Sequence, residues 1–156
     1  MRSLSAVAVV ICLLLESTTS AAVRGKDARY AGGTIATLQD NAEGSFELAD
    51  GMAVFNAKKG GARLSIPYEK IESLEYGQKA GRRVGLAIAI SPLFLFSKKR
   101  RHFLTIGFRD EAGKMQGAVF ELAKGGVRET LSTLETKTGK KVEYESDDAR
   151  KYAQSH

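Results

Sequence analysis

A change of hydrophobic period late in the chain constrains the fold more than any other feature of the sequence. Up to Leu122, short segments with apolar residues at alternate positions are separated by turns rich in glycine, aspartate and lysine. Such alternation is typical of strands with one buried face. Beyond it, Val127, Leu131 and Leu134 are spaced by four and then three positions, the period of a helix. The order predicts a mainly β fold: a bent antiparallel sheet or partly open barrel, capped by one C-terminal α-helix.

Six to seven strands are predicted, because residues 71–76 fit either a strand or one helical turn. Asp50-Gly51 is a strong hairpin signal between two of these segments. Gly139 is placed to end the helix in the left-handed conformation, and a short extension over residues 142–144 follows it. The predicted strand segments are residues 33–38, 45–48, 52–56, 62–68, 71–76, 102–109 and 115–122.

The N-terminus has the order of segments that a secretory signal peptide requires. Arg2 precedes an apolar run of 12 residues that begins at Leu4, and small residues follow up to Ala22. We therefore expect residues 1–22 to direct export to the periplasm or the exterior; an uncleaved anchor and a buried helix are the alternatives. Cys12 is the sole cysteine, so a processed chain would hold no disulfide and no thiolate metal site.

The rest of the chain divides by composition into one domain with two polar ends. Residues 23–30 are polar and predict a flexible leader, and residues 145–156 predict a polar, disordered tail. Residues 31–144 carry the strand and helix patterns, and their length fits a single domain.

The formal net charge of +6 suggests anionic partners such as lipid headgroups, acidic polymers or acidic proteins. Nucleic acid is not expected as a partner, because the predicted compartment lacks it. The alternative interpretation is that the charge only maintains solubility.

One apolar segment stands out, because residues 84–96 contain a single polar side chain, Ser91. It is too short to cross a bilayer as a helix. It could form buried core strands, dip into a membrane interface, or bury against a protein or a second copy. The basic residues that would contact an anionic surface are Arg82, Arg83, Lys98, Lys99, Arg100 and Arg101. The residues expected to make apolar contact are Leu93, Phe94, Leu95 and Phe96. The basic run could instead only protect a sheet edge.

Residues for catalysis are scarce. Outside the predicted signal peptide the two histidines are His102 and the terminal His156, too few for a histidine metal site in one copy. No Gly-x-Ser-x-Gly sequence is present, and we expect His102 to be structural. Carboxylate pairs such as Asp110 with Glu111 lie in predicted turns or on the surface. The sequence thus predicts a binding or scaffold domain without enzymatic activity, cofactor or metal.

Short motifs spread over nearly the whole of the chain after residue 22 resemble a family of small exported bacterial domains of unknown function with a pleckstrin-homology or GRAM-like fold. The resemblance implies that fold and an exported location, and it implies no activity. The motifs are Gly32-Gly33-Thr34, Glu43-Gly44, Ile66-Pro67-Tyr68, Ile71, Glu75-Tyr76-Gly77, Gly81-Arg82-Arg83, Ser97-Lys98-Lys99, His102, Phe120-Glu121-Leu122 and Thr138-Gly139-Lys140-Lys141.

Overall fold

A computed structural model describes residues 25–79, 88, 90 and 100–155 of the chain. The strands are β1 (Lys26–Gly33), β2 (Glu43–Ala49), β3 (Met52–Ala57), β4 (Arg63–Pro67), β5 (Ile71–Gly77), β6 (Phe103–Arg109), β7 (Met115–Leu122) and β8 (Val142–Tyr144). The helices are α1 (Val127–Thr138) and α2 (Asp147–Ser155), and short 3-10 turns occupy Tyr68–Lys70 and Lys124–Gly126.

The strands form one open sheet in the order β4-β3-β2-β1-β7-β6-β5-β8. Neighbouring strands are antiparallel except for β8, which pairs with β5 in parallel. The prediction of a mainly β fold is confirmed. The finer prediction was wrong in three respects. Within the described residues the sheet is mixed, it has eight strands, and the C-terminal part of the chain holds two helices.

The inner face of the sheet carries the main core, and its residues come from every strand. Tyr30, Phe46, Phe55 and Phe120, from four neighbouring strands, pack their rings with centroids 4.9–6.5 Å apart. The alternating apolar residues of two predicted strands, 102–109 and 115–122, belong to this core: Leu104, Ile106, Phe108, Ala118, Phe120 and Leu122.

Helix α1 covers this face with the residues that its period predicted. Val127, Leu131 and Leu134 are buried, and the helix contacts both β2 and the 3-10 turn after β4. Gly139 ends it with a φ of 70°, and its N–H donates to the carbonyl of Glu135 at 2.9 Å. The predicted helix and its glycine cap are confirmed.

Strand β1 corrects the expectation of a flexible leader. It runs through the middle of the sheet between β2 and β7, whereas the strand predicted at residues 33–38 is confined to Gly33 and the rest is loop. Its inward residues, Ala28 and Tyr30, are buried. The residue between them, Arg29, faces outward and pairs with Glu43 and Glu121. The polar residues that suggested a flexible leader are therefore, in β1, residues that form ion pairs on the outer face of a central strand.

The expectation of a disordered tail was also wrong. Residues 147–155 form α2, which buries Ala149 and Ala153 in the main core. Alanine gives a weak apolar signal in a segment whose other residues are polar, and the helical spacing of these two alanines becomes informative only once the site they fill is known. The predicted extension at residues 142–144 is strand β8.

A second, smaller apolar cluster lies on the outer face of the sheet. It consists of Ala31, Phe103 and Val119, from β1, β6 and β7, each at most 3% exposed. Ile88 and Ile90 pack against it, and Ile90 forms an isolated bridge with Gly32 of β1. We call Ala31, Phe103 and Val119 the outer cluster.

The turn between β6 and β7 gives a testable pH dependence. The Asp110 carboxylate accepts the backbone N–H groups of Ala112 and Lys114, both at 2.9 Å, and the side-chain amide of Gln116 at 2.8 Å. These hydrogen bonds, led by that from Gln116, hold the pKa of Asp110 below its ordinary value of 3.8. The stabilisation is therefore present above that value and is lost as the pH falls through the lower pKa of the folded state.

We expect Asp110→Asn to unfold at a lower urea concentration than the wild type at about pH 7, with the difference shrinking towards about pH 3. Urea unfolding measured at both pH values checks this. Asp50→Asn, which replaces an exposed aspartate in the β2–β3 turn, is the matched control and should show little change. A pH-independent difference between Asp110→Asn and the wild type would contradict the assignment.

Candidate functional site

The connection between β5 and β6 contains all ten residues predicted to meet a partner. The structure places two of them, Arg100 and Arg101, immediately before β6. Arg100 is exposed and Arg101 is half-buried. The remaining eight lie outside the described residues: Arg82, Arg83, Leu93, Phe94, Leu95, Phe96, Lys98 and Lys99.

Arg101 belongs to an ion-pair network on the outer face. Its guanidinium donates from Nη1 to both carboxylate oxygens of Glu121, at 3.0 and 3.1 Å. Glu121 also lies 3.8 Å from Arg29, which bonds Glu43 at 2.9 Å. The side chains of Arg101 and Glu121 are each about one-fifth exposed, so the pair is shielded better than an ordinary surface pair. Arg101 therefore fixes the end of the connection, and Arg100 is the one of the two that presents its charge to solvent.

The start of the connection is held by a carboxylate from the C-terminal part of the chain. Glu145 accepts the backbone N–H groups of Gln78 at 2.8 Å and Lys79 at 3.1 Å. A β-carbon at Gly77 would lie 2.6 Å from the same carboxylate oxygen, so a larger residue there would displace Glu145. The backbone N–H of Glu145 in turn donates to the carbonyl of Tyr76. The chain is thus fixed where it leaves β5.

The middle of the connection is fixed through Ile88 and Ile90. Both are half-buried against the outer cluster. At these two positions the apolar segment lies on the sheet, which agrees with the interpretation that it contributes to a core.

His102 occupies a structural position, as expected. It is 7% exposed, and its Nδ1 lies 2.7 Å from the Tyr76 hydroxyl. The ring of Tyr152, from α2, stacks on it with centroids 4.5 Å apart. Burial raises the pKa of Tyr76 above its ordinary value, so its hydroxyl stays protonated and can donate to His102. This cluster joins β5, the start of β6 and α2.

Sequence reasoning missed the two carboxylates that hold the connection, Glu121 and Glu145. Glu121 lies between buried Phe120 and Leu122, and that alternation places it on the outer face. It pairs with Arg101 and Arg29 because β7 lies between β1 and β6 in the sheet, which the sequence does not show. Glu145 gave no local signal, because its partners are backbone amides 66 and 67 positions away.

Among residues 25–79, 88, 90 and 100–155, the structure brings no three histidine, cysteine, aspartate or glutamate side chains together as a metal site. No helix within the same ranges is both long enough and apolar enough to span a bilayer. No protein-family model and no curated protein matches the chain.

Proposed function

We propose that this protein is an exported, non-enzymatic binding domain that attaches to the surface of an anionic membrane through the β5–β6 connection. The observation that carries the proposal is the anchoring of that connection at Gln78 and Lys79, at Ile88 and Ile90, and at Arg101. Binding residues are often carried by connections that a scaffold positions, and this connection is tied to the sheet at both of its ends. Its sequence combines an apolar run with basic residues on both sides.

The composition of the connection suits a membrane interface. Apolar side chains that enter the interface and cations that contact anionic headgroups act together in surface attachment. Each lysine or arginine near an anionic surface contributes about 1 kcal/mol. Since Glu121 neutralises Arg101, five basic residues remain for this role: Arg82, Arg83, Lys98, Lys99 and Arg100.

The test is co-sedimentation with vesicles, using protein recovered from the cells that make it and its N-terminus read by mass spectrometry. We expect binding to phosphatidylglycerol vesicles that weakens with added salt, and little binding to phosphatidylcholine vesicles, because screening acts on exposed charges. Replacing Lys98, Lys99 and Arg100 with glutamate removes about 3 kcal/mol of attraction, so partitioning should fall about 100-fold or more.

The matched control replaces Lys124, Lys141 and Lys151 with glutamate, since these three are exposed elsewhere and the change in net charge is the same. It should bind nearly as well as the wild type. Equal losses in the two variants, or no sedimentation with either lipid, would refute the proposal. A defined oligomer in sedimentation velocity that dissociates on Leu93→Ser would instead support self-association through residues 84–96.

We also propose that the fold is pleckstrin-homology or GRAM-like and that residues 1–22 are a signal peptide. Support for the fold comes from the unbroken antiparallel order of seven strands, β4 to β5, with α1 on the inner face. Support for export comes from the sequence of the first 22 residues. An N-terminus at residue 22 or 23 in protein from the periplasm or medium is the expected result, and intact protein in the cytosol would exclude export.

A further inference from the structure

The outer edge of β4 pairs with no other strand among residues 25–79, 88, 90 and 100–155, and its backbone groups are available for pairing. The N–H of Ala57 donates to Ala62, and the N–H of Tyr68 donates to Gly51, at the two ends of the β3–β4 ladder. Hydrogen-bonded pairs alternate along an antiparallel ladder, so Leu64 and Ile66 turn their backbone groups towards β3.

The residues between them turn their backbone groups away from the sheet. Arg63 and Ser65 therefore direct both N–H and C=O towards the free edge, and Pro67 directs only its C=O there. Arg63 and Ser65 are exposed, and β4 is the last strand on its side of the sheet. An exposed row of this kind is a template for an added strand.

A groove runs beside this edge. It has a volume of about 380 Å³ and lies between β4, the loop after β1 and the end of β6. Its apolar lining comes from Ile35, Ala36, Leu64, Pro67 and Phe108. Alternate side chains of a strand point to opposite faces, so an added strand on β4 could direct every second side chain into this groove.

The charges around the edge select the kind of segment. Arg63 and Lys59 form none of the ion pairs within the described ranges, and both are exposed. Two carboxylates line the groove, and both are engaged. Glu111 pairs with Lys70 at 2.7 Å, and Asp110 accepts three hydrogen bonds from residues 112–116. The whole chain also carries a net charge of +6, so this edge favours binding of an acidic segment.

A second copy of the chain fits the edge less well. Two copies would each bring a net charge of +6 to the contact. Pro67 offers no N–H, and a charged residue together with proline on an edge discourages pairing between like edges. We propose that β4 and its groove bind an extended, acidic polypeptide segment with alternating apolar residues by strand addition.

The test uses a fluorescein-labelled hexapeptide, blocked at both ends, in which aspartate or glutamate alternates with valine. Its comparison peptide carries lysine at the charged positions. We expect the acidic peptide to bind about tenfold or more tightly than the basic one. On binding, the backbone amides of Arg63 and Ser65 should gain protection from hydrogen exchange.

Two substitutions at one position isolate the backbone bond. Ser65→Pro removes the N–H that faces the free edge and should weaken binding about tenfold or more, whereas Ser65→Ala keeps it and should bind like the wild type. Arg63→Glu should abolish the preference for the acidic peptide, and it remains informative if Ser65→Pro fails to fold. Equal binding by Ser65→Pro and Ser65→Ala, protection at other strands, or a dimer formed through β4 would overturn the proposal.

Discussion

Phe120→Ala is expected to lower the free energy of unfolding by about 3–5 kcal/mol. Phe120 is fully buried in β7, and its ring lies 4.9–5.9 Å from the rings of Tyr30, Phe46 and Phe55. The substitution removes the transfer free energy of a phenyl group and leaves a cavity among three aromatic rings that cannot all move into it. A domain of this size has a total stability of only about 5–15 kcal/mol, so the substitution would remove a large fraction of it.

Urea unfolding followed by circular dichroism measures this effect. Phe120→Leu is the control, because leucine fills part of the space and should cost less than the alanine substitution. Val119 is the neighbouring residue on the opposite face and belongs to the outer cluster. Val119→Ala should cost less than Phe120→Ala, because the smaller truncation leaves a smaller cavity. Equal losses for the two alanine variants would contradict a single dominant core on the inner face.

Ala149→Arg should lower the free energy of unfolding by about 2–3 kcal/mol or more. If α2 detaches instead, the loss equals the free energy that the docking of α2 contributes. Ala149 is fully buried where α2 packs on the main core, and no space for a guanidinium exists beside a buried methyl group. Detachment would also uncover His102, on which Tyr152 stacks. This substitution therefore distinguishes a docked helix from a disordered tail.

Gln154→Arg is the matched control, since it adds the same side chain at an exposed position of the same helix. Its stability should be close to that of the wild type. Hydrogen exchange of the amides of residues 150–155 gives a second readout, because a docked helix protects them and a detached one does not. Identical behaviour of Ala149→Arg and Gln154→Arg would show that α2 does not pack as described.

The parts of the fold that could be predicted from the sequence are those whose signals are local. Apolar residues alternate with others along Met115–Leu122. Gly139 ends a helix whose buried residues recur about once per turn. These elements keep their pattern because the residues that define it are neighbours in the chain. The hairpin order from β2 to β4 follows in the same way from short turns between alternating segments.

Several features of the candidate site could be anticipated only in part. The basic flanks and the apolar run of residues 84–96 are visible in the sequence, and the structural role of His102 was expected from its isolation. The sequence did not show which of the two arginines before β6 forms an ion pair. Arg100 and Arg101 are adjacent and chemically identical, yet the ion pair with Glu121 is made by Arg101. Glu121 lies 20 positions further along the chain, so no local pattern shows which arginine it contacts.

The sequence by itself determined the class of the fold, strands β2 to β4, strands β6 and β7, and the helix that covers them, since alternation and turn chemistry act over a few residues. Only the tertiary structure decided that Lys26–Gly33 is a central strand, that residues 147–155 form a docked helix, and that Glu145 holds the end of β5. The physical reason is that polar side chains on β1 and small ones on α2 gain their partners from distant parts of the chain. A local pattern cannot distinguish such segments from solvated ends until the surfaces they meet are in place.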